Sequence, residues 1–287
     1  MPATLDWRLG LSALIGICVA AGFVLGVSEI LELQRSRALR RERIGEMLLS
    51  LSPLPVNVLV TLGLAGFWGA LYAEARALAP VHWPVNATTF ALAFVAADFS
   101  YYWEHRCAHR VPWLWGLYHA IHHSSADYTI ATAYRVSFIN QTFSPAFYLP
   151  WVLLGFDPLL IAGWQLFAFH YQAWLHTETI GTLGWLDRWF NTPAVHRVHH
   201  SRAAEHRDRN LGAVTMIWDR CFGTYTAPVA ILRYGIPGID PPRSMRGLYV
   251  DPWRRWLAKP LSLRNEVVDP SDRGRCLAGI APTGDPV

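Results

Sequence analysis

Of the 287 residues, 52% are hydrophobic and only 16% are charged, and the mean hydropathy is +0.18. Soluble domains average about 25% charged residues, so the composition argues against a soluble protein and for a membrane-embedded chain. The net charge of +4 comes from arginine, Lys259 being the single lysine, and the arginines at 35–43, 202–209 and 243–255 flank apolar runs. That placement fits the cytoplasmic face of a membrane and argues against nucleic acid as a partner. Cys18, Cys107, Cys221 and Cys276 form no CxxC pair, which excludes a zinc ribbon or a disulfide framework and points to a reducing compartment.

The first apolar run, Leu9–Ser28, is uncharged and long enough for a span, which needs about 20 residues. A signal peptide has a similar profile. The length of the run and the arginines at 35, 37, 40, 41 and 43 behind it favour a retained helix. A second run covers Pro53–Ala73, and a third covers Val85–Ala97 and continues beyond Asp98. A fourth covers about Val136–Phe156 and a fifth Leu159–Leu175; the Asp157-Pro158 turn between them predicts a helical hairpin that dips into the bilayer.

The basic 34–46 segment is expected to face the cytoplasm, and the Pro80–Pro84 link, free of Lys and Arg, to lie outside. The third helix then returns and delivers Tyr101–His109 to the cytoplasmic side. Segments 104–135 and 177–222 are expected to form a cytoplasmic helical cap. After about Tyr225, Pro228, Pro237, Pro241, Pro242, Pro252 and Pro260 predict an irregular tail, with the last dozen residues disordered. The fold expected is all-α: a multi-pass membrane protein with four to five membrane helices or re-entrant segments, and a cap that holds a histidine-rich di-metal site. Its parts are residues 1–84, membrane helices with a basic loop; 85–225, the catalytic region; and 226–287, a Pro/Arg-rich cytoplasmic tail.

Eight of the twelve histidines fall in three clusters: His105 and His109 as HxxxH, then His119, His122, His123 and His196, His199, His200, each as HxxHH. Residues i, i+3 and i+4 share one helix face, about 5–6 Å apart. HxxxH therefore aims two imidazoles at one point. HxxHH aims its first and fourth together and leaves the fifth to reach a neighbouring ion. Eight ligands suit two metals, each with an open position. Imidazole binds Fe, Zn, Cu or Ni; a water-excluded site beside acyl chains favours iron and oxygen activation.

His176, at the exit of the fifth run, is a candidate ninth ligand. His170, six residues earlier, is either a ligand or a buried hydrogen-bonded histidine. His206, in a charged run, reads as a solvated residue, and His82 lies on the wrong side of the membrane. Asn191-Thr192-Pro193 gives an N-cap and a proline start for the third cluster's helix. Asp98, about two turns before His105, could orient a ligand imidazole.

These residues resemble the fatty acid hydroxylase superfamily, also called the sterol desaturase family. The likeness runs through Asp98–His109, Trp115–His123, His176-Thr177-Glu178, Asn191–His200, Asn210–Gly212 and Ile217–Thr224. Within that family, His119–Ala133 and the Asn-Thr-Pro start look like the alkylglycerol monooxygenase branch. The resemblance implies two iron ions, molecular oxygen, a membrane lipid substrate, and hydroxylation or desaturation of a C–H bond. The branch implies a tetrahydropterin as electron donor. The chain has no GxGxxG fingerprint and no haem-binding domain, so electrons are expected from a separate donor. The location implied is the inner membrane of a bacterium or the endoplasmic reticulum of a eukaryote. A zinc-dependent membrane hydrolase would keep a carboxylate base in an HExxH-type motif, and none occurs; a non-catalytic metal-binding membrane protein is the other alternative.

Overall fold

The computed structural model describes residues 6–231 and 233–258. Among these the regular elements are all helical, and β-type pairing is confined to isolated bridges, Phe190 with Thr215 and Ser201 with Tyr234. In chain order the helices are α1 (Trp7–Arg35), α2 (Arg41–Leu51), α3 (Pro53–Ala77), α4 (Ala87–Arg110), α5 (Pro112–Leu114), α6 (Ala120–His123) and α7 (Phe138–Phe143). There follow α8 (Leu149–Leu153), α9 (Pro158–Tyr171), α10 (Pro193–His199), α11 (Ile217–Cys221), α12 (Met245–Tyr249) and α13 (Asp251–Ala258).

Among the described residues two stretches are long and apolar enough to cross a membrane: α1, and Arg41–Ala77, in which α2 runs on into α3. Only 11% and 17% of their apolar windows are buried, whereas a core helix of a soluble protein would be mostly covered. Phe23 and Leu59 are 72% and 70% exposed; surfaces of this kind belong against acyl chains. The inner face of α1 packs closely on α9. A Cβ on Gly163 would lie 2.4 Å from Leu11 Cδ2, so the glycine is what permits the approach.

Helix α4 begins with a capping box: the Asn86 side chain accepts from Thr89 N, and the Thr89 hydroxyl accepts from Asn86 N. Its 24 residues rise about 36 Å, enough to carry His105 and His109 to the far end of the bundle. Helix α9 is capped by Asp157, which accepts from Leu159 N and Leu160 N. With 14 residues it rises about 21 Å, short of the roughly 30 Å hydrocarbon core. The run before it, expected as one helix over Val136–Phe156, is broken into α7, a 3-10 turn (Ser144–Phe147) and α8. Pro145 and Pro150 lack the N–H that a continuous helix needs there.

The hairpin tip closes at Gly155, whose φ of +101° suits glycine. A Cβ there would sit 2.1 Å from Val81 O. The 78–86 link lies on this tip: Trp83 donates from N to Gly155 O (3.0 Å) and from Nε1 to Leu154 O (2.9 Å). The link and the hairpin tip thus share one end of the bundle, and the histidines occupy the other. If those ends face opposite sides of the membrane, in a cysteine-free background Ser36→Cys and Glu205→Cys should label from one side and Val81→Cys from the other. Labelling of all three from one side would contradict that topology.

The region after Tyr225 departs from the irregular tail expected. It is irregular to about residue 244, then forms α12 and α13. Leu248 is fully buried against Leu49 and Ile121, and Ile236 covers Trp115 and Ala120. Apolar surface beside the second histidine cluster therefore draws this segment onto the core. The last dozen residues, expected to be disordered, lie outside the described residues.

Candidate metal centre

Short, well-anchored elements deliver the histidines. His105 and His109 project from the last turns of α4. A π-helical turn, Trp115–His119, precedes α6 and carries His119, while α6 carries His122 and His123. Helix α10 starts at Pro193 behind Thr192, whose hydroxyl accepts from Val195 N, and holds His196 and His199, with His200 as its C-cap. His176 follows the 3-10 turn Gln172–Leu175 that ends α9.

All nine histidines converge, in two groups: His105, His109, His119, His123 and His199 in one, and His122, His176, His196 and His200 in the other. Within each group the candidate ligand atoms lie within 4.8 Å of one another, and every residue is buried. The grouping differs from the pairing that spacing alone suggests. In each HxxHH motif the first and fifth histidines share a group, and the fourth crosses to the other. His119 and His123 have ring centroids 4.8 Å apart, against 5.4 Å for His119 and His122. In both motifs the i and i+4 rings meet on one helix face, after the π turn at His119 and along the regular helix α10 alike. The two groups touch each other through His123 and His200, stacked at 4.3 Å.

The ring orientation is set from outside. His105 Nδ1 lies 2.8 Å from Leu211 O, His176 Nδ1 2.9 Å from Gln172 O, and His199 Nδ1 2.8 Å from Arg209 O. A carbonyl only accepts, so each Nδ1 carries the proton and each Nε2 turns a lone pair inward. There the Nε2 atoms crowd: His105 to His119 at 2.8 Å, His119 to His123 at 3.1 Å, His122 to His176 at 3.2 Å and His176 to His196 at 3.1 Å. Nε2 of His109, His199 and His200 is buried without a hydrogen-bond partner. Crowded buried ring nitrogens, three of them without a partner, are costly in a dry interior, and a shared cation removes the conflict. The donor set therefore fits metal ions, imidazole nitrogen being a ligand at about 2.1 Å.

Protonation favours the same role. Burial above all, with repulsion from neighbouring imidazoles, holds His119, His122, His123, His196, His199 and His200 well below the usual imidazole range. Burial takes His176 down to about 4. The neutral ring is the ligand form.

A carboxylate knot supports the first group. Asp219 accepts from Leu211 N (2.8 Å), Gly212 N (2.7 Å) and the Thr224 hydroxyl (2.7 Å), and so fixes the Leu211 carbonyl on His105. Asp98 touches no imidazole, contrary to the role expected of it. It accepts from Val214 N (3.1 Å), the Thr215 hydroxyl (2.5 Å) and Trp218 Nε1 (3.1 Å), and so clamps the 214–218 segment.

Other supports escaped the sequence reading. Glu29 of α1, 3% exposed, accepts from Ile130 N (2.9 Å) and from the hydroxyl of Thr177, the residue after His176 (2.6 Å). Its only signal was an acid directly after an apolar run. Arg135, fully buried, donates to Glu46 (2.6 Å), Ser50 (3.1 Å) and Ser124 (3.2 Å), tying α2 to the segment after the second cluster.

The remaining histidines stand apart. His206 is buried rather than solvated, its Nδ1 2.8 Å from the Ser201 hydroxyl, and it belongs to neither group. It ends the 3-10 turn Ala204–His206, and its charged neighbours conceal its burial in the sequence. His170 also lies outside both groups, and His82 sits at the other end, 3.0 Å from Arg76 O.

A cavity of about 510 Å³ opens onto the centre. His105 and His119 of one group and His122 and His176 of the other form its floor, and apolar residues of α3 and α9, among them Leu62, Leu64, Ala65 and Leu166, form its walls.

Comparison with known proteins agrees with this geometry. Residues 90–224 match the family model described as fatty acid hydroxylase. Alkylglycerol monooxygenase of Xenopus tropicalis is 44% identical over 148 residues, which is 52% of this chain and 33% of that protein. The human alkylglycerol monooxygenase is 43% identical over 148 residues, with the same shares. Ornithine lipid hydroxylase OlsE of Rhizobium tropici is 34% identical over 160 residues, covering 52% of this chain and 45% of that protein. The chain thus spans about a third of the length of the alkylglycerol monooxygenases it matches. No solved structure matches. Residues 90–224, the part of the chain that matches the fatty acid hydroxylase family model, carry all nine converging histidines.

Proposed function

We propose that this chain is a membrane-bound di-iron oxygenase that hydroxylates a C–H bond of a lipid, or desaturates it, with oxygen and an external electron donor. One observation carries the reading: two buried all-histidine groups share the floor of one apolar cavity. An alkyl chain has no acidic proton and no electrophilic carbon, so the side chains alone cannot attack it; bound metal supplies the oxidising chemistry. For hydroxylation the balance is RH + O2 + 2 e⁻ + 2 H⁺ → ROH + H2O, the electrons coming from a separate donor. A tetrahydropterin, implied by the resemblance to the alkylglycerol monooxygenase branch, is the donor proposed.

His105, His109, His119, His123 and His199 would hold one iron, and His122, His176, His196 and His200 the other. The protein's own part is to keep the rings neutral, fix them through backbone carbonyls, and exclude water from the floor. The cavity suits a long apolar chain on a polar head, which alkylglycerols and ornithine lipids, named for the relatives, both have. The arginines at 35–43 support a cytoplasmic catalytic end. A hydrolase would use a carboxylate base, and neither group contains a carboxylate.

Metal analysis of detergent-purified protein tests the reading. The account expects two iron equivalents per chain. Stoichiometric zinc without iron, in protein that still turns lipid over, would favour the hydrolase.

A further inference from the structure

Several oxidisable aromatic rings touch the converging histidines, and they differ in what lies behind them. Trp115 packs on His109 and His123, with centroids 5.2 and 5.5 Å apart, Tyr118 on His119 at 5.7 Å, and Tyr101 on His105 at 5.4 Å. Among the described residues, the ring contacts of these three end at histidines. Tyr128 differs. It lies 5.5 Å from His176 and 5.2 Å from His200, both of the second group, and it is also stacked on Tyr234 at 4.7 Å with the planes 14° apart.

The pair leads from the buried centre to the surface. Tyr128 is buried, and its hydroxyl donates to Leu175 O at 3.0 Å. Tyr234 is half-buried, and its hydroxyl donates to Oε1 of the exposed Glu178 at 3.2 Å. Its segment is tied to the residues after His200: Tyr234 makes an isolated bridge with Ser201, and Arg202 N donates to Arg233 O at 3.1 Å. The stack is therefore fixed relative to the third cluster. The two phenols also differ in a way that sets a direction. A phenol that loses an electron becomes a strong acid and sheds its proton. A peptide carbonyl is too weak a base to take it, so Tyr128 cannot keep the oxidation. Tyr234 faces a carboxylate and water, so it can.

We propose that Tyr128 and Tyr234 form a path that discharges the oxidised centre from the protein surface when no lipid C–H bond is in reach. The inference rests on the di-iron oxygenase reading and adds a protective activity to it. Tyr128 gives one electron to the centre across its contact with His176 and His200. Tyr234 refills Tyr128, loses its proton along the bond to Glu178 and on to water, and is left as a neutral tyrosyl radical. A soluble reductant of the thiol or ascorbate class returns one electron and one proton to it. Two such passages complete O2 + 4 e⁻ + 4 H⁺ → 2 H2O, two electrons coming from the donor used in hydroxylation and two through the tyrosines. A phenol yields an electron only to a strong oxidant. The path is therefore silent towards the resting centre and does not compete with the ordinary donor. Without it, the oxidising equivalents fall on the ligand imidazoles.

Iron-loaded protein in detergent, reduced and then mixed with oxygen in the absence of lipid, is frozen during oxygen consumption and read by electron paramagnetic resonance. The wild type should show a radical signal that narrows when the chain carries ring-deuterated tyrosine. Tyr128→Phe and Tyr234→Phe keep the rings but not the oxidisable phenol; each should lose the signal with iron content unchanged. Tyr234→Trp should replace it with a tryptophan-type signal. Tyr225→Phe, whose ring packs on Arg220 instead, should keep it. After repeated lipid-free cycles with ascorbate present, peptide mass spectrometry should find His176 and His200 oxidised faster in Tyr234→Phe than in the wild type. A wild-type signal that is absent, insensitive to tyrosine deuteration or unchanged in Tyr234→Phe would overturn the proposal, as would a lack of oxygen consumption without lipid. In each of these cases the oxygenase reading stands if oxygen is consumed once lipid is supplied; no consumption with lipid and reductant present would overturn both.

Discussion

His199→Ala is expected to remove one metal and spare the other. Helix α10 gives His196 and His200 to the second group but turns His199 to the first, where its Nε2 is buried with no hydrogen-bond partner. The alanine protein should keep the second group intact, so metal content should fall by about half. Turnover should fall at least about 100-fold, since even the outer partners of metal ligands are worth 10–100-fold. His206→Ala is the matched control. That ring is also buried and lies six positions beyond His200, but it bonds Ser201 and joins neither group; metal content should be unchanged. Full metal and full turnover in His199→Ala would show that the convergence of these rings has no bearing on metal binding.

Asp219→Ala should be the most destabilising single change in the scaffold around the centre. The carboxylate takes Leu211 N, Gly212 N and the Thr224 hydroxyl, all buried. Its removal strands three donors at about 1–3 kcal/mol each, so a loss of about 3–5 kcal/mol is expected after partial rearrangement. Little space exists for a substitute contact, because Gly212 already sits so close to Thr215 O that a Cβ would lie 2.2 Å away. The Leu211 carbonyl would also lose its hold on His105. Asp219→Asn keeps one acceptor and should lose roughly half as much. Thermal melts in detergent, with metal content measured in parallel, check both; an Asp219→Ala protein that melts like the wild type would contradict the account of the knot.

The parts of this molecule written in local spacing were legible, and those written in long-range contacts were not. HxxxH and the two HxxHH motifs announce themselves because imidazoles at helical spacing have few other reasons to recur, and His176 stood out as an ionisable residue where an apolar run ends. The partition between the two groups was hidden, because i+3 and i+4 lie equally near along a helix and only the long-range packing of α4, α6 and α10 decides which ring joins which group. Thr192-Pro193 was readable as a helix start because capping is local. Glu29, Arg135 and Asp219 were invisible as supports because their partners lie 101, 89 and 8 positions away or nearby only through a fold-specific turn. Hydropathy read Val136–Phe156 as one run, but Pro145 and Pro150 divide it. Asp98 was read through its distance from His105 along the helix, while its acceptors' demand was met from Val214, Thr215 and Trp218 on a segment 116 to 120 residues later.

The central claim is that two histidine-held metals under an apolar cavity oxidise an unactivated C–H bond. Incubation of reconstituted protein with a long-chain diol lipid, a reductant system and isotopically labelled oxygen gas, followed by mass spectrometry of the lipid, tests it most directly. The account predicts that turnover requires both oxygen and reductant, and that a hydroxylated product carries one labelled oxygen atom, or an alkene carries none. Lipid turnover that proceeds without oxygen and without reductant would contradict it.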